Sequence, residues 1–226
     1  MSIAEKLQTA AENQQKVYEA GQKAEYDRFW DNYQDNGNRG HYRYAFYRTF
    51  WNDENFKPKY DIKPTQDGQY IFQQCGVTDM KAILQRQGVV LDFSKTPSLY
   101  HCFNSAAVTH LPELDCSKCT SFQNTFVNCS SLVSIDKLII SDKVTGANFA
   151  QMFTGCSSLQ NVIFEGVIAA DISLSGSPLL SHDSIMSLLN CMKTGGTGTV
   201  TLGATNLAKL TDAEKAIATE KGWTLV

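Results

Sequence analysis

The sequence predicts an α/β solenoid, in which repeats with short parallel strands stack behind a long N-terminal helix. Residues 124–135 and 151–162 share one frame: Phe, two residues, Cys-Ser-Ser-Leu, two residues and a β-branched aliphatic. Self-similar units at a roughly fixed spacing are typical of solenoids, because each unit buries its apolar face only against its neighbours. Two more degenerate copies of the frame precede this pair, so the array is predicted to span residues 67–180, about half of the chain.

Residues 1–35 are predicted to form a helix for oligomerisation or docking. Ser2 and Glu5 match a capping box, and no proline follows before Gln34. Apolar residues recur at spacings of three, four and seven, at Ile3, Leu7, Ala10, Val17 and Ala24. This narrow stripe favours a coiled coil through residues 3–34, with a homotrimer preferred. The alternative is a helix packed along the chain's own body.

Residues 36–66 are predicted to be an aromatic-rich cap and linker. Aromatic residues are dense between Tyr26 and Tyr60, and Arg39, Arg43 and Arg48 are interleaved with them. One interpretation is a stacking platform for a sugar or single-stranded nucleic acid. The other, which we favour, is a cap over the open end of the repeats. The net charge of −3 also argues against nucleic acid as a partner.

Residues 67–180 are predicted to hold four repeat units. Their phenylalanines, Phe72, Phe103, Phe126 and Phe153, are 31, 23 and 27 residues apart, as expected of solenoid units. Each unit is expected to contain a short helical turn, a Cys/Ala-Ser corner and a short strand. Stacking the units would then build a narrow parallel sheet.

Residues 181–226 are predicted to be a C-terminal α/β cap that follows a strand at residues 171–174. Ser181 is placed to cap a helix that runs to Met192. A β-branched strand is expected at residues 199–202. Thr211 and Glu214 match a capping box for a second helix, and Gly222 is placed to end it before a last strand at residues 223–226.

The repeats resemble the BspA-type leucine-rich repeat, whose units share the frame seen in FVNCSSLVSI and FTGCSSLQNVIFEG. The segments IAEKL, KVYEAGQKAEYDRFWDNYQ, NFKPKYDIKPT and KGWTLV are similar to those of BspA-like proteins encoded in prophages of gut-type Firmicutes, often beside tail genes. The resemblance covers nearly the whole chain. It implies a leucine-rich-repeat fold and a place on a phage tail.

No residues are assigned a catalytic, cofactor-binding or metal-binding role. Cys116 and Cys119 form a CxxC pair, but a structural zinc site needs four ligands, and we interpret the pair as corner residues between units. The glycines of residues 194–199 lack the lysine of a phosphate-binding loop and are interpreted as a turn. The seven cysteines are expected to be reduced residues of the core.

A strip of residues between the frame aliphatics is the candidate partner-binding surface. If the strands stack in register, these residues form a mixed polar strip suited to a protein or a glycan. Its members are Thr78, Asp79, Thr109, His110, Val133, Ser134, Gln160 and Asn161. The alternative is that they are merely solvated.

The preferred functional hypothesis is a non-enzymatic phage tail-associated or receptor-binding protein. Its expected partners are a host cell-surface protein or glycan and other tail proteins. It would be made in the bacterial cytoplasm, because the chain begins with neither a basic segment nor an apolar one and no signal peptide is expected. No apolar run approaches the roughly 20 residues of a membrane span. A cell-surface adhesin of the BspA kind is the second hypothesis, and an enzyme is the third.

Overall fold

The structure is a computed structural model that describes residues 45–46, 51–54, 56–65, 68–145, 149 and 151–226. These residues belong to one compact unit, Gly40–Val226. The predicted N-terminal helix, with its coiled-coil seam at residues 3–34, lies outside the described residues.

The described elements are short and alternate between strands and helices. In chain order they are α1 (Met80–Gln87), β1 (His110–Leu111), β2 (Leu114–Cys116), β3 (Ser134–Ile140), β4 (Asn161–Gly166), β5 (Ile172–Ser173), α2 (His182–Cys191), β6 (Thr199–Thr201), α3 (Ala204–Leu207), α4 (Asp212–Glu220) and β7 (Thr224–Leu225).

Strands β1 to β4 form a parallel sheet in which β3 is the central strand. β1 pairs with the first part of β3, β2 pairs with its last part, and β4 pairs along the other side. Pro112 lies between β1 and β2 and, lacking an N–H group, cannot donate to the ladder there. The pairing of β3 with β4 shifts between Ile135 and Leu138, which leaves two residues of β3 opposite the single Ile163 of β4.

The segment around each frame phenylalanine is a chain of tight turns, so the expected helical turn is wrong. In the third unit the N–H groups of Thr125, Val127 and Cys129 each bond the carbonyl three residues earlier. The third residue of the first and of the last of these turns has a left-handed backbone, with φ of 57° at Asn124 and 60° at Asn128. A left-handed residue reverses the local sense of the chain, so a helix cannot propagate through the segment.

Successive turn segments are joined by backbone hydrogen bonds and by stacked rings. The amides of three frame phenylalanines donate to the next unit, from Phe72 to Cys102 at 2.8 Å, from Phe103 to Thr125 at 2.9 Å and from Phe126 to Met152 at 3.1 Å. The frame rings lie 5.1 to 5.4 Å apart between centroids and within 15° of parallel. The repeating frame therefore specifies one continuous phenylalanine stack in the core.

Aromatic residues of the segment before the repeats extend this stack. The Phe46 ring lies 5.1 Å from that of Phe72, and its amide donates to Ile71 at 2.8 Å. Phe46, Trp51 and Phe56 are all buried. These three rings are therefore not accessible for stacking on a sugar or a base; Tyr42, Tyr44, Tyr47 and Phe50 lie outside the described residues.

Helices pack beside two outer strands of the four-stranded sheet, β1 and β4. The first unit lacks the strand that its sequence predicts, because Asp79 caps α1 instead and α1 packs beside β1. At the other side, α2 lies along β4 and replaces a fifth strand. Its Ser184 and Ser187 hydroxyls accept from the amides of Val162 at 2.9 Å and Phe164 at 3.0 Å. Side chains of a helix thus satisfy backbone groups that an added strand would otherwise bond.

The C-terminal part agrees with the elements that the sequence predicts there. Ser181 caps α2, and Thr211 with Glu214 forms the capping box of α4. β5, β6 and β7 form a second parallel sheet. Gly222 has the positive φ, 91°, expected of a residue that ends a helix.

A fifth copy of the frame, not predicted from the sequence, precedes α2. Leu174, Ser177 and Leu180 take the places of Phe, Cys and Leu. The amide of Ser177 bonds the Leu174 carbonyl at 3.0 Å, and that of Leu180 bonds the Ser177 carbonyl at 3.4 Å, the same turns as in the units before.

Candidate recognition surface

The predicted strip contains two columns of four residues, one residue from each unit. Backbone hydrogen bonds hold the first column together, which consists of Thr78, Thr109, Val133 and Gln160. The amide of Thr109 donates to the Thr78 carbonyl at 2.7 Å, that of Val133 to Thr109 at 2.8 Å, and that of Gln160 to Val133 at 2.9 Å. These four residues therefore lie one above another, one from each unit, as the repeat spacing predicts.

Two hydroxyl groups of this column have partners within the chain. The Thr78 hydroxyl donates to the Asp53 carboxylate, which also accepts from the Thr78 amide at 2.6 Å. The Thr109 hydroxyl donates to the Thr78 carbonyl at 3.0 Å. Thr78 and Thr109 therefore stabilise the stack, and their hydroxyl groups have less capacity to bind a partner.

The second column of the strip faces outward across three strands. His110 is aligned with Ser134, and Ser134 with Asn161. The His110 Nδ1 atom lies 2.8 Å from the Ser134 hydroxyl, and the Asn161 side chain is exposed. Asp79 does not extend this row as a ligand group, because its carboxylate accepts from the Ala82 amide at 3.0 Å and caps α1.

A row of ion pairs lies beside this column and was missed from the sequence. Lys137 on β3 bonds Glu165 at 3.1 Å and Glu113 at 3.4 Å, so the row spans three units. Hydrogen bonds to Glu165 and Glu113 raise the pKa of Lys137. Lys81 of α1 bonds Asp136 at 2.7 Å. Acidic and basic side chains at equivalent positions of successive units were the signal that could have revealed the row.

An exposed aliphatic residue lies next to the ion pairs. Ile163 points away from the core between buried Val162 and Phe164, and 41% of it is exposed. It stands opposite the two bulged residues of β3, Asp136 and Lys137. At this place an exposed apolar side chain and a row of ion-paired charges lie close together.

The thiols of the turn segments are structural donors. Cys129 donates to the Phe103 carbonyl at 2.8 Å, and Cys156 to the Phe126 carbonyl at 3.0 Å. Burial raises the pKa of Cys156 to about 12 and that of Cys129 well above its usual range. Thiols in this state are poor nucleophiles and poor metal ligands at neutral pH, since both roles need the thiolate.

The remaining groups that the sequence singled out are accounted for by packing. Cys116 and Cys119 are buried, and Cys119 donates to the Thr96 carbonyl at 2.9 Å. The His101 Nε2 atom lies 3.0 Å from the side-chain nitrogen of Asn124, and burial lowers the pKa of His101. Gly196 lies against the Trp223 ring, where a Cβ atom would come within 2.3 Å, so the glycine-rich segment is a close-packed turn.

The comparisons with known proteins give no family. No protein-family model matches the chain, and no curated protein or solved structure matches it significantly. Within the described ranges, no helix is long and apolar enough to cross a membrane, and no group of three or more His, Cys, Asp or Glu side chains could hold a metal ion.

Proposed function

We propose that the chain is a non-enzymatic phage tail-associated protein that binds a receptor on the host cell surface. The observation that carries the proposal is the outward row His110–Ser134–Asn161, one residue from each of three units, in the register of a parallel sheet. Such a row offers hydrogen-bonding groups on a rigid support, which is what recognition requires. The place on the tail rests on the resemblance to BspA-like prophage proteins.

The fold proposal that accompanies this function is a leucine-rich-repeat solenoid of the BspA type. Its support is the equivalence of the units. The same turn follows Phe103, Phe126 and Phe153, and at Phe103 and Phe126 the same inter-unit amide bond and the same thiol-to-carbonyl bond recur. An array of this kind presents one strand face repeatedly, and its extended surface suits a macromolecular partner.

Residues 3–34 are proposed to join copies of the chain, as a trimer, and to dock them to other tail proteins. The virion is the proposed location, after synthesis in the bacterial cytoplasm. Light scattering on the intact chain and on a chain that begins at Asn36 tests the first part. A trimer that becomes a monomer supports it, and two monomers contradict it.

Binding of the fluorescently labelled, full-length protein to a panel of gut Firmicutes tests the receptor proposal. A triple variant, His110→Ala, Ser134→Ala and Asn161→Ala, is expected to lose most of the binding. The control is Ser157→Ala, which changes an exposed corner residue away from the strand face. Absence of binding to every strain overturns the proposal. Immunogold labelling on the surface of the producing cells, and not on virions, favours the adhesin hypothesis instead.

A further inference from the structure

We propose that the receptor bound by this surface is a protein, and that the contact centres on Ile163 and the neighbouring row of ion pairs. The inference rests on the proposed function and deepens it, since the strip alone suits either a protein or a glycan. It also moves the centre of the contact from the predicted strip toward the bulge in β3.

The bulge makes this part of the sheet different from the rest. On β3 two outward residues, Asp136 and Lys137, lie between buried Ile135 and Leu138. On β4 only Ile163 lies between the aligned buried residues. A bulge redirects side chains, and bulges are common beside binding sites. Here it brings a lysine into reach of two glutamates while an isoleucine stays exposed beside them.

The chemistry of the face disfavours a sugar. Proteins hold the weakly apolar side of a sugar ring against the electron-rich face of an aromatic side chain. Among the described strands β1 to β4, the only phenyl, phenol or indole ring is that of Phe164, which is buried. The outward positions therefore lack the group that a glycan site most needs.

The same chemistry favours a protein with basic side chains around an apolar anchor. Protein interfaces place an apolar contact at the centre and charged groups at the rim. Around Ile163 the rim carries two ammonium groups and three carboxylates, at Lys81, Lys137, Glu113, Asp136 and Glu165. A partner of complementary charge would bring lysine or arginine to this rim.

The test uses the full-length labelled protein and cells of a strain that it binds. Treating the cells with protease is expected to abolish binding, and mild periodate, which cleaves sugar diols, is expected to leave it. Ile163→Ser is expected to weaken binding about tenfold or more. Val90→Ser is the matched control, since Val90 is also exposed, at 52%, and is not part of the strand face; its binding should stay within about twofold. A thermal melt of each variant confirms folding.

The possible failures are distinguishable. Binding that survives protease but not periodate overturns the protein receptor and leaves the proposed function standing. Binding that Ile163→Ser and Lys137→Glu leave unchanged, in folded variants, overturns the location of the contact. Absence of binding to any strain overturns the proposed function, and the inference with it. Binding that weakens with added salt supports the charged rim, and binding indifferent to salt contradicts it.

Discussion

The thiol of Cys156 donates a hydrogen bond of 3.0 Å to the carbonyl of Phe126, one unit earlier in the chain. Cys129 makes the same bond to Phe103 at 2.8 Å. The frame cysteines therefore tie adjacent units together. Ser177 takes the same place in the fifth copy of the frame, yet its hydroxyl is buried without a hydrogen-bond partner. We attribute the missing hydrogen bond to the C–O bond of serine, which is shorter than the C–S bond of cysteine.

Replacing Ser177 tests this explanation. Ser177→Ala is expected to be neutral or to stabilise by up to about 1 kcal/mol, because it removes a buried, unpaired hydroxyl. Ser177→Cys should raise the free energy of unfolding further, by about another 1 kcal/mol, because it restores the bond to the preceding unit. Urea denaturation measures both. In the reciprocal variant, Cys156→Ser, stability should fall by about 1–3 kcal/mol, and an unchanged midpoint would contradict the role of the thiol.

Left-handed residues in the turn segments give a second stability prediction. Gln74 has φ of 56° and Ser105 has φ of 55°, whereas the fourth unit places Gly155 at the equivalent position with φ of 79°. Gln74→Gly or Gln74→Asn should stabilise by about 0.5–1 kcal/mol, because both residues tolerate this backbone better. Gly155→Ala should destabilise by about 1–2 kcal/mol, since its Cβ would also lie 2.7 Å from the Asn128 side-chain oxygen. Equal denaturation midpoints for all three variants would show that the turns are not strained.

The frame was predictable because it depends on burial at a fixed spacing. Phe126 and Phe153 are core residues, as the repeated sequence indicates, and the capping residues Ser181 and Thr211 act as their local sequence predicts. The left-handed residues of the turns could not be predicted in the same way, because apolar spacing indicates which side chains are buried but does not indicate the sign of φ. Asn128 and Gly155, immediately before the frame cysteines, are the residue types that accept a positive φ and were the available signal.

Helix α1 and the bulge in β3 could not be predicted from apolar spacing, because each depends on other residues as well. Met80 and Ile83 are three residues apart, which fits both a repeat frame and a helix; Asp79 as N-cap and Gly88 with φ of 64° decide for the helix. The bulge in β3 depends on the partner strand. Its outward residues, Asp136 and Lys137, could therefore be placed only with β4 in position.

Thiol reactivity should separate one cysteine from the other six. All seven cysteines lie in the described residues and are free; six are buried, and Cys191 is half-buried. Burial raises the pKa of Cys191 as well, although nearby Lys221 opposes this. At pH 8 an aromatic disulfide reagent is expected to modify about one thiol of the folded protein slowly, and all seven in denaturant. Cys191→Ser should remove the reaction of the folded protein. Rapid modification of several thiols would contradict their burial.

Acid should destabilise the N-terminus of α4 locally. Hydrogen bonds from the Thr211 amide and hydroxyl lower the pKa of Glu214, and His182 adds to this. A carboxyl with a lowered pKa stabilises the fold above its unfolded value, and this contribution is lost as the pH falls through the folded value. The protection factors of the α4 amides, which correct for the pH dependence of intrinsic exchange, should therefore fall below about pH 4.5. Glu214→Gln should flatten this dependence, whereas Glu220→Gln, on the same helix, should leave it. A dependence that survives Glu214→Gln would assign it to other carboxyls.

The helices beside the outer strands bear on how the number of repeat units in such a chain can change. Because side chains of α2 satisfy backbone groups of β4, that edge offers no free template on which another chain can add a strand, while α1 packs beside β1 at the other side. The interior units, by contrast, present equivalent faces to their neighbours. A unit of 23 to 31 residues can therefore be duplicated or deleted between the two ends without exposing a new edge. The width of the strand face is set by the copy number of an internal module, and the two ends can stay unchanged as it grows.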